Sequence, residues 1–243
     1  MRPTLRLAHA SDIHLDTDYY GGEEHLHRRD RCRQLFRTLL DNVSGQKPDA
    51  FLIAGDLFDS NRASRDTVLW AMEALGNLPF PVLMIPGNHD CLEHDGIYRR
   101  HDFNRIPNVQ MIVDPQGATL ELPDLKISAW GKGMALHSPD FRPLAGMPDV
   151  REGWWNLALG HGIFVEGSHH SDRSSPIRSD QIGASRRDYV ALGHHHGLKN
   201  VSDADTAAYY CGSPERLSDH SGTFVTVDLE DGVEAQVSIR RVG

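Results

Sequence analysis

Five short clusters of Asp, Asn and His recur along the 243-residue sequence, and each comes directly after a short apolar run. The clusters are Asp12-Ile13-His14, Gly55-Asp56-Leu57-Phe58-Asp59, Gly87-Asn88-His89-Asp90, Gly160-His161 and Gly193-His194-His195-His196. Short apolar runs that end at Gly or at polar residues are typical of buried strands. We therefore predict strands that carry all five clusters to one edge of a buried sheet, at Leu5–Ala10, Ala50–Ala54, Val82–Ile85, Trp155–Leu159 and Tyr189–Leu192.

Alternating strand-like and helix-like runs in the first half predict parallel strands joined by right-handed crossovers. Apolar residues at helical spacing predict helices over Arg28–Val43, about Ser64–Leu75 and around Gly96–Asn104. Helical periodicity is scarce in the second half, so mixed and antiparallel pairing is expected there. The expected fold class is α/β, with two mixed sheets face to face and helices outside. The further predicted strands are Val109–Val113, Ala118–Leu122, Lys126–Trp130, Ala207–Tyr210, Thr223–Leu229 and Ala235–Arg240.

The sequence predicts one domain over residues 1–243 that ends in a β-hairpin over residues 223–240, with Glu230-Asp231-Gly232 as its turn. A content of 39% hydrophobic and 24% charged residues is that of a globular protein. No apolar run reaches about 18 residues and the start has no signal-peptide pattern, so no membrane span is expected. The three cysteines lack metal-ligand spacing, which favours a reducing cytoplasmic location.

Side chains of the five clusters offer nitrogen and oxygen ligands for two divalent metal ions. Asp12 and His14 stand at i and i+2, so both can turn toward one ion at a strand end, and the Asp56 carboxylate can bridge two cations. Carboxylate, amide and imidazole ligands without thiolate suit Mn, Fe or Zn better than Ca or Mg, and Mn²⁺ is the expected metal. His195 should point away from the site. The predicted ligands are Asp12, His14, Asp56, Asn88, His161, His194 and His196.

Two such ions would polarise a phosphoryl oxygen and hold a hydroxide in line with the phosphorus. His89, next to the ligand Asn88, is the predicted catalytic residue, because it would lie over the substrate and protonate or stabilise the leaving oxygen. Asp59 and Asp90 are predicted to orient ligand or catalytic histidines. The pattern therefore predicts a two-metal phosphoesterase.

Each cluster taken singly has an ordinary explanation. Gly-Asn-His-Asp is a good turn sequence, and His194–His196 could be a surface run. Residues 167–179 read as a polar surface loop, although His169 and His170 could alternatively reach a phosphate. The metal-site interpretation is favoured because all five clusters stand in order, each after a strand signal.

The same clusters resemble the motifs of the calcineurin-like metallophosphoesterases, from Leu5 to about Leu217. The motifs D-x-H, G-D-x-x-D, G-N-H-D/E, G-H and G-H-x-H all stand here in that order. This resemblance implies the metallo-dependent phosphatase fold, a four-layer αββα sandwich, with His89 as the catalytic histidine. It implies that one metal is held by Asp12, His14, Asp56 and His196, and the other by Asp56, Asn88, His161 and His194.

Finer details resemble the SbcD-type DNA repair exonucleases, above all the segment 210–217, Tyr-Cys-Gly-Ser-Pro-Glu-Arg-Leu. Those nucleases usually continue into a capping domain and a segment that binds a partner ATPase. Here a single hairpin follows Leu217, so no capping domain is expected and docking of an ATPase is an open alternative. Ser60 departs from the family pattern, where many members carry Arg, and Arg62 or Arg65 could replace that phosphate contact.

Three functions are compatible with these observations. The leading hypothesis is a metal-dependent phosphodiester hydrolase that acts on DNA ends as an exonuclease. The second keeps the chemistry but acts on a small phosphodiester, a nucleotide or a phosphoprotein, which the net charge of −9 favours. The third is a binding module without catalysis, which predicts lost ligands, yet all seven ligand residues and His89 are present.

Overall fold

The computed structural model describes residues 1–16, 22–167, 173–215 and 222–242, with residues 22–28 described by their backbone alone. Its strands, in chain order, are β1 Leu5–Ala10, β2 Ala50–Ala54, β3 Val82–Ile85, β4 Val109–Met111, β5 Ala118–Leu122, β6 Ile127–Gly131, β7 Trp155–His161, β8 Ile163–Val165, β9 Pro176–Arg178, β10 Tyr189–Gly193, β11 Leu198–Asn200, β12 Ala207–Cys211, β13 Thr223–Leu229 and β14 Gln236–Arg241. Its α-helices are α1 Gly22–Gly45, α2 Arg65–Gly76, α3 Ile97–Arg100 and α4 Ser179–Ser185, and 3₁₀ turns form over Phe103–Arg105 and Pro123–Leu125.

Two six-stranded sheets and one small two-stranded sheet form within these residues. The first large sheet has the order β14-β13-β1-β2-β3-β4 and the second has the order β11-β12-β10-β7-β6-β5, while β8 pairs with β9. Strands β1 to β4 are parallel to one another. Strand β13 pairs antiparallel with β1, and β14 pairs antiparallel with β13. In the second sheet β6, β7, β10 and β12 are parallel, with antiparallel edge strands β5 and β11. Both sheets are therefore mixed, as the sequence predicts.

The layers follow from the alternation of side chains along each strand. Leu7 on β1 and Leu52 on β2 pack between the two sheets, in a core that also contains Leu157 of β7. The next residue along β1, Ala8, faces the opposite side and joins a core that includes Phe36 of α1. A third core covers the outer face of the second sheet beside α4. The predicted α/β fold of two mixed sheets flanked by helices, a four-layer αββα sandwich, is confirmed.

Helix boundaries differ from the sequence-based ones at two places. Helix α1 begins at Gly22, six residues before the predicted start, since the stretch before Arg28 contains no proline to end it. The predicted helix around Gly96–Asn104 is instead the single turn of α3, followed by a 3₁₀ turn. His101 is extended between them, and the Asp102 side chain accepts a hydrogen bond from the Asn104 N–H. This local capping bond competes with a continuous helix.

Short elements in the second half were not predicted. β8, β9, β11 and α4 each have three to seven residues. Strand β9 and the start of α4 lie inside the stretch 167–179 that was predicted as a loop, so its later part is ordered against the second sheet. In the part of the chain that the structure describes, no helix has the length and apolar character needed to cross a membrane.

A buried histidine on the first sheet forms a hydrogen bond with the second sheet, close to the edge that carries the polar clusters. His9 of β1 is fully buried, and its Nδ1 lies 2.9 Å from the Tyr189 hydroxyl oxygen of β10. Burial lowers the pKa of His9 to about 3. His9 is therefore neutral in the folded protein at neutral pH, whereas in the unfolded chain it gains a proton below about pH 6.5.

We expect His9 to make the fold sensitive to acid. Between about pH 6.5 and pH 3 the unfolded state binds one proton more than the folded state, so stability falls as pH falls, by roughly 1.4 kcal/mol per pH unit. In His9→Gln the part of the pH dependence that His9 contributes should be absent. Tyr189→Phe keeps the imidazole and should retain that pH dependence. Urea unfolding of the metal-free proteins at pH 7, 6 and 5 measures the slopes. Equal pH slopes for wild type and His9→Gln would contradict the assignment.

Candidate metal centre

Carboxyl ends of parallel strands from both sheets meet at one edge of the sandwich, and the polar clusters lie there. Asp12 follows β1, Asp56 follows β2 and Asn88 follows β3, whereas His161 ends β7 and His194 follows β10 directly. Loops at the carboxyl ends of neighbouring parallel strands lie side by side, which brings these residues together. The two sheets meet closely here, since His161 Nδ1 lies 2.8 Å from the Ala54 carbonyl oxygen at the end of β2.

Four residues of this edge have a left-handed backbone conformation. The φ angles are 55° at Asp12, 53° at His14, 53° at Asp56 and 98° at His194. Such angles are uncommon for residues with a side chain and cluster at functional sites, where the surrounding structure enforces them. Close packing adds to this constraint, because a Cβ atom at Gly87 would overlap Asp56 Oδ1. The backbone here is shaped to turn ligand atoms inward.

One group of ligand atoms forms around Asp12. His14 Nε2 lies 3.1 Å from His196 Nε2, and His196 Nε2 lies 3.8 Å from Asp12 Oδ1. Nitrogen and oxygen atoms of these three residues all lie within 4.8 Å of one another. Asp12 is fully buried and His14 nearly so, whereas His196 is exposed at the rim. Two imidazole nitrogens at this separation repel each other unless a proton or a cation lies between them.

A second group forms around Asn88. Its Oδ1 lies 3.0 Å from His161 Nε2 and 2.8 Å from His194 Nδ1. His161 is fully buried, and its Nδ1–H donates to the Ala54 carbonyl, which leaves Nε2 as the nitrogen that faces the site. A second hydrogen bond of this kind fixes the ring orientation of metal-bound histidines. His194 and His161 rings meet edge to face at 5.4 Å.

The Asp56 carboxylate lies between the two groups. Its Oδ2 is 3.2 Å from His161 Nε2 in the second group and 4.0 Å from His14 Nε2 in the first. Its Oδ1 accepts a hydrogen bond of 2.9 Å from the His89 backbone N–H. The Asp56 carboxylate is thus close to a histidine of each group, which is the position that a bridging carboxylate needs.

Electrostatics at this edge couple carboxylates to imidazoles. Burial is the largest influence on Asp56 and opposes its ionisation, but the charge and hydrogen bond of His161, together with the charges of His14 and His89, outweigh burial and hold the pKa of Asp56 well below its usual range. Burial likewise opposes a charge on His161, yet Asp56 raises the pKa of His161 to about 9. His194 behaves in the opposite way, because burial and the positive charge of His161 lower its pKa to about 4. Without a metal, the buried carboxylates thus favour a proton on His161 and on His14, whereas burial disfavours one on His194 and on His196.

His89 lies beside the site but is more exposed than the ligands. Its Nδ1 donates to the Asp59 carbonyl oxygen at 2.7 Å, and its ring meets the His14 ring edge to face at 4.7 Å. Ligand atoms of His14, Asp56 and His89 also lie within 4.8 Å of one another. The side chain is 42% exposed, so a molecule that approaches the two groups meets His89.

Asp59 and Asp90 act differently from each other. Asp59 Oδ1 lies 3.2 Å from His14 Nδ1, which matches a carboxylate that orients a histidine. Asp90 was expected to orient a histidine, but its recorded hydrogen bonds are to the Gly87 N–H, the Phe58 N–H and the Tyr98 hydroxyl. Those bonds hold the loop that carries Asn88 and His89, so Asp90 supports the histidine through the backbone.

Several residues near the site were not predicted from the sequence. Ser11 donates to the Asp12 carboxylate and Ser213 donates to the Asp12 carbonyl oxygen at 2.7 Å, so both fix the position of Asp12. His137 stacks at 5.4 Å against His194. Ser11 and Ser213 lie in segments that resemble the SbcD-type nucleases, residues 10–16 and 210–217, whereas His137 lies in no segment that the sequence singled out. His195 turns away from the groups and packs on Tyr210, as predicted. His169, His170, Arg216 and Leu217 lie outside the described residues.

The donors present fit a pair of divalent cations. Oxygen atoms of buried carboxylates, the Asn88 amide oxygen and imidazole nitrogens lie within a few ångströms of one another. No thiolate belongs to these groups of ligand atoms among the described residues. Such a set is costly to bury without a compensating positive charge. Fold and donors together define an αββα protein whose clustered side chains could hold divalent metal ions.

Comparison with known proteins gives the family. Residues 5–198 match the family model described as calcineurin-like phosphoesterase, which spans most of the chain. The chain therefore belongs to the calcineurin-like phosphoesterase family and is a metal-dependent phosphoester hydrolase.

Two solved structures are similar to the chain at low sequence identity. One, described as a novel archaeal phosphodiesterase, is 14% identical with a TM-score of 0.51, and the match covers 97% of this chain and 100% of that one. The other, nuclease MPE of Pseudomonas putida, is 14% identical with a TM-score of 0.30, over 88% of this chain and 81% of that one. At this identity the archaeal structure shows a shared fold.

We expect Asp56 to be needed for metal binding. Asp56→Asn removes the charge between the two groups, and the loss in Mn²⁺ affinity should exceed the roughly 10- to 100-fold that loss of an outer-sphere partner costs. Calorimetric titration with MnCl₂ and metal analysis after gel filtration measure affinity and stoichiometry. Asp95→Asn, at a side chain that is 94% exposed, is the matched control. Binding of two ions by Asp56→Asn with wild-type affinity would show that Asp56 is not a ligand.

Proposed function

We propose that this protein is a two-metal phosphodiester hydrolase and that DNA ends are its substrate, in the manner of the SbcD-type exonucleases. The observation that carries the proposal is the pair of ligand groups that share Asp56, with His89 beside them. A single-metal site would not need a buried carboxylate near histidines of both groups.

Each ion has its own set of ligands in this proposal. The first is held by Asp12, His14, Asp56 and His196, and the second by Asp56, Asn88, His161 and His194. The tautomer of His161 supports this, since its Nδ1–H is committed to Ala54 and its Nε2 faces Asn88. Two divalent ions, when bound, supply Lewis-acid activation of the phosphoryl group and of the attacking water. Mn²⁺ is the proposed metal because it accepts all three ligand types, and Fe and Zn share that property.

His89 is the proposed catalytic residue. Its Nδ1 is bound to the Asp59 carbonyl oxygen, so Nε2 is the nitrogen that is free to face an ester. In its protonated form Nε2 can donate to the leaving oxygen and stabilise the charge that develops there. Asp56 holds the His89 backbone N–H, which ties the position of this histidine to the shared carboxylate.

A group of exposed arginines next to His89 supports a polyanionic substrate. Asp59, whose carbonyl holds His89, leads directly into the segment that carries Arg62 and Arg65. Arg99 and Arg100 lie across from it, and Arg100 Nη2 donates to the Asn61 carbonyl oxygen at 2.6 Å. Positive potential on this side is also visible at His101, because burial and the charges of Arg100 and Arg65 lower its pKa. Such a flank can bind the phosphates next to the scissile one.

Ser60, where many family members carry Arg, has a local role. Its Oγ accepts a hydrogen bond of 3.2 Å from the Arg62 N–H, in the turn that precedes α2. Arg62 in this turn and Arg65 at the start of α2 are both exposed. These two arginines are therefore the proposed replacements for the missing phosphate contact.

The described part of the segment that resembles the SbcD-type nucleases, residues 210–215, includes a residue that contacts both Asp12 and His196. The Ser213 N–H donates to the His196 carbonyl oxygen at 2.9 Å, while Ser213 Oγ donates to the Asp12 carbonyl oxygen. Ser213 thus connects two of the proposed ligands of the first ion. Docking of a partner ATPase stays a prediction from the resemblance.

A second candidate substrate is a small phosphodiester, a nucleotide or a phosphoprotein. The net charge of −9 favours it, because an acidic protein gains little from a long polyanion outside its basic flank. The arginines near His89 favour DNA. Activity on substrates of increasing length decides between them.

We expect Mn²⁺-loaded protein to hydrolyse bis-p-nitrophenyl phosphate faster than p-nitrophenyl phosphate and to degrade end-labelled linear DNA. His89→Gln should lower kcat by roughly 10²- to 10⁴-fold and still bind both ions, since it removes proton transfer alone. His94→Gln, at a side chain that is 98% exposed, is the control. Comparison of linear with closed circular DNA separates end-dependent from internal cleavage. If wild type and His89→Gln degrade DNA equally slowly, the nuclease proposal is wrong.

We expect the arginine flank to matter for long substrates alone. Arg62→Gln combined with Arg65→Gln should raise KM for DNA several-fold, reduce its salt dependence, and leave bis-p-nitrophenyl phosphate hydrolysis unchanged. The control pair Lys47→Gln and Lys126→Gln removes the same charge before β2 and β6, at the opposite edge of the sheets. Equal effects of both pairs would point to net charge rather than to a specific flank.

A further inference from the structure

His137 lies in the loop after β6, outside all the clusters that the sequence singled out, yet it borders the metal centre. Its ring lies 5.4 Å from the ring of His194 at an interplanar angle of 40°. His89 lies next to His14. His137 thus contacts a histidine of the second ligand group, and His89 contacts a histidine of the first.

A buried serine holds the His137 ring. His137 Nδ1 lies 2.9 Å from Ser175 Oγ, and Ser175 is fully buried with a left-handed φ of 51°. The Ser175 N–H donates to the Ser138 carbonyl oxygen at 2.8 Å, and its own carbonyl accepts from the Ile163 N–H at 3.0 Å. Every polar group of Ser175 is therefore engaged in fixing this loop. The left-handed backbone of Ser175 costs free energy, and such residues cluster at functional sites. This favours a functional role for the histidine that Ser175 holds.

The loop of His137 is also fastened to the loop that carries Asn88 and His89. The Leu92 N–H donates to the Met134 carbonyl oxygen at 2.8 Å, and Met134 is buried. The Gly133 N–H donates to the Asp114 carbonyl oxygen at 2.8 Å. His137 is therefore placed relative to Asn88 by a short, bonded path, as a residue that contacts substrate must be.

The second ring nitrogen is available to a ligand. Nδ1 is engaged with Ser175, and among the described residues Nε2 has no hydrogen-bond partner. The ring is half-buried, so one side packs on His194 while part of it reaches the solvent of the cleft. A neutral imidazole with its acceptor nitrogen bonded to a hydroxyl presents an N–H donor at the other nitrogen.

We propose that His137 is a substrate-binding residue, which donates a hydrogen bond from Nε2 to a non-bridging phosphoryl oxygen on the Asn88 and His194 side, with Ser175 as its positioning residue. This inference rests on the proposed function, in that the ligand is a phosphate ester held at the metal centre. In this arrangement two histidines contact the phosphoryl group. His89 lies at the leaving oxygen, and His137 lies at an oxygen that stays on phosphorus.

Inorganic phosphate binding to the Mn²⁺-loaded protein tests the proposal without requiring turnover. Calorimetry should show phosphate affinity about 10- to 100-fold weaker in His137→Ala, which is the usual effect of losing one hydrogen bond to a charged group. His137→Gln, which keeps an N–H donor, should recover part of the affinity. Ser175→Ala should show a smaller loss, because the ring stays present but is less fixed. His94→Ala is the surface control.

Metal affinity and kinetics separate substrate binding from a structural role. In the His137 and Ser175 variants, Mn²⁺ affinity and stoichiometry should be unchanged, and KM for bis-p-nitrophenyl phosphate should rise more than kcat falls. Unchanged phosphate affinity in His137→Ala, or a loss that tracks lost Mn²⁺, would overturn the proposal. If wild type bound phosphate but cleaved no diester, the proposed function would fail while the phosphate data would still decide the role of His137.

Discussion

The buried carboxylate of Asp56 is the interaction on which the arrangement of this molecule depends. A carboxylate taken out of water is costly unless positive charge or hydrogen bonds compensate for it. Here the compensation comes from three different loops, through the His89 N–H, His161 Nε2 and, at 4.0 Å, His14 Nε2. Because these groups belong to loops after β1, β3 and β7, the carboxylate can be satisfied only when both sheets are in place. The same requirement makes the centre a good receptor for cations, which replace the protons that the carboxylates otherwise hold on the imidazoles.

The two sheets provide the rigidity that this centre needs. Parallel strands β1, β2 and β3 end side by side, and β7 and β10 end opposite them, so ligand loops are short and anchored at both ends. Left-handed φ angles at Asp12, His14, Asp56 and His194 are sustained because these residues are bonded to neighbouring loops, as Asp12 is to His194. Strain at four ligands is then a consequence of turning side chains inward immediately after a strand, rather than a separate feature.

The strands and the edge at which the polar clusters lie could be predicted from the sequence, because both depend on short, contiguous stretches of residues. A buried strand of a parallel sheet is a continuous apolar run, and a ligand cluster directly after it needs no tertiary knowledge to be placed at an edge. The helix around Gly96–Asn104 was wrong because the Asp102 side chain offers the backbone a competing hydrogen bond, which periodicity does not weigh. The bonding of Asp90 could not be predicted for a related reason, since the sequence does not tell whether a carboxylate bonds a ring or its own loop. His137 has no strand-and-cluster pattern around it, and only the packing of its loop against Ser175 and His194 brings it to the site.

Net acidity and a polyanionic substrate are compatible in this protein because charge acts locally. Screening limits the reach of exposed charges to about 10 Å at physiological salt, so distant acidic residues contribute little at the cleft. The arginines around Arg62 and Arg100 are exposed, and two divalent cations would offset the carboxylates of Asp12 and Asp56. Asp66 is the acidic residue nearest in sequence to Arg65, and it forms a salt bridge of 2.7 Å with Arg33. Its negative charge therefore reduces the positive potential of the arginines less than an unpaired carboxylate would. An overall negative charge then affects how often the protein meets a long polyanion, whereas in the proposed function binding at the cleft would depend on bound metals, on the arginine flank and on His89 and His137.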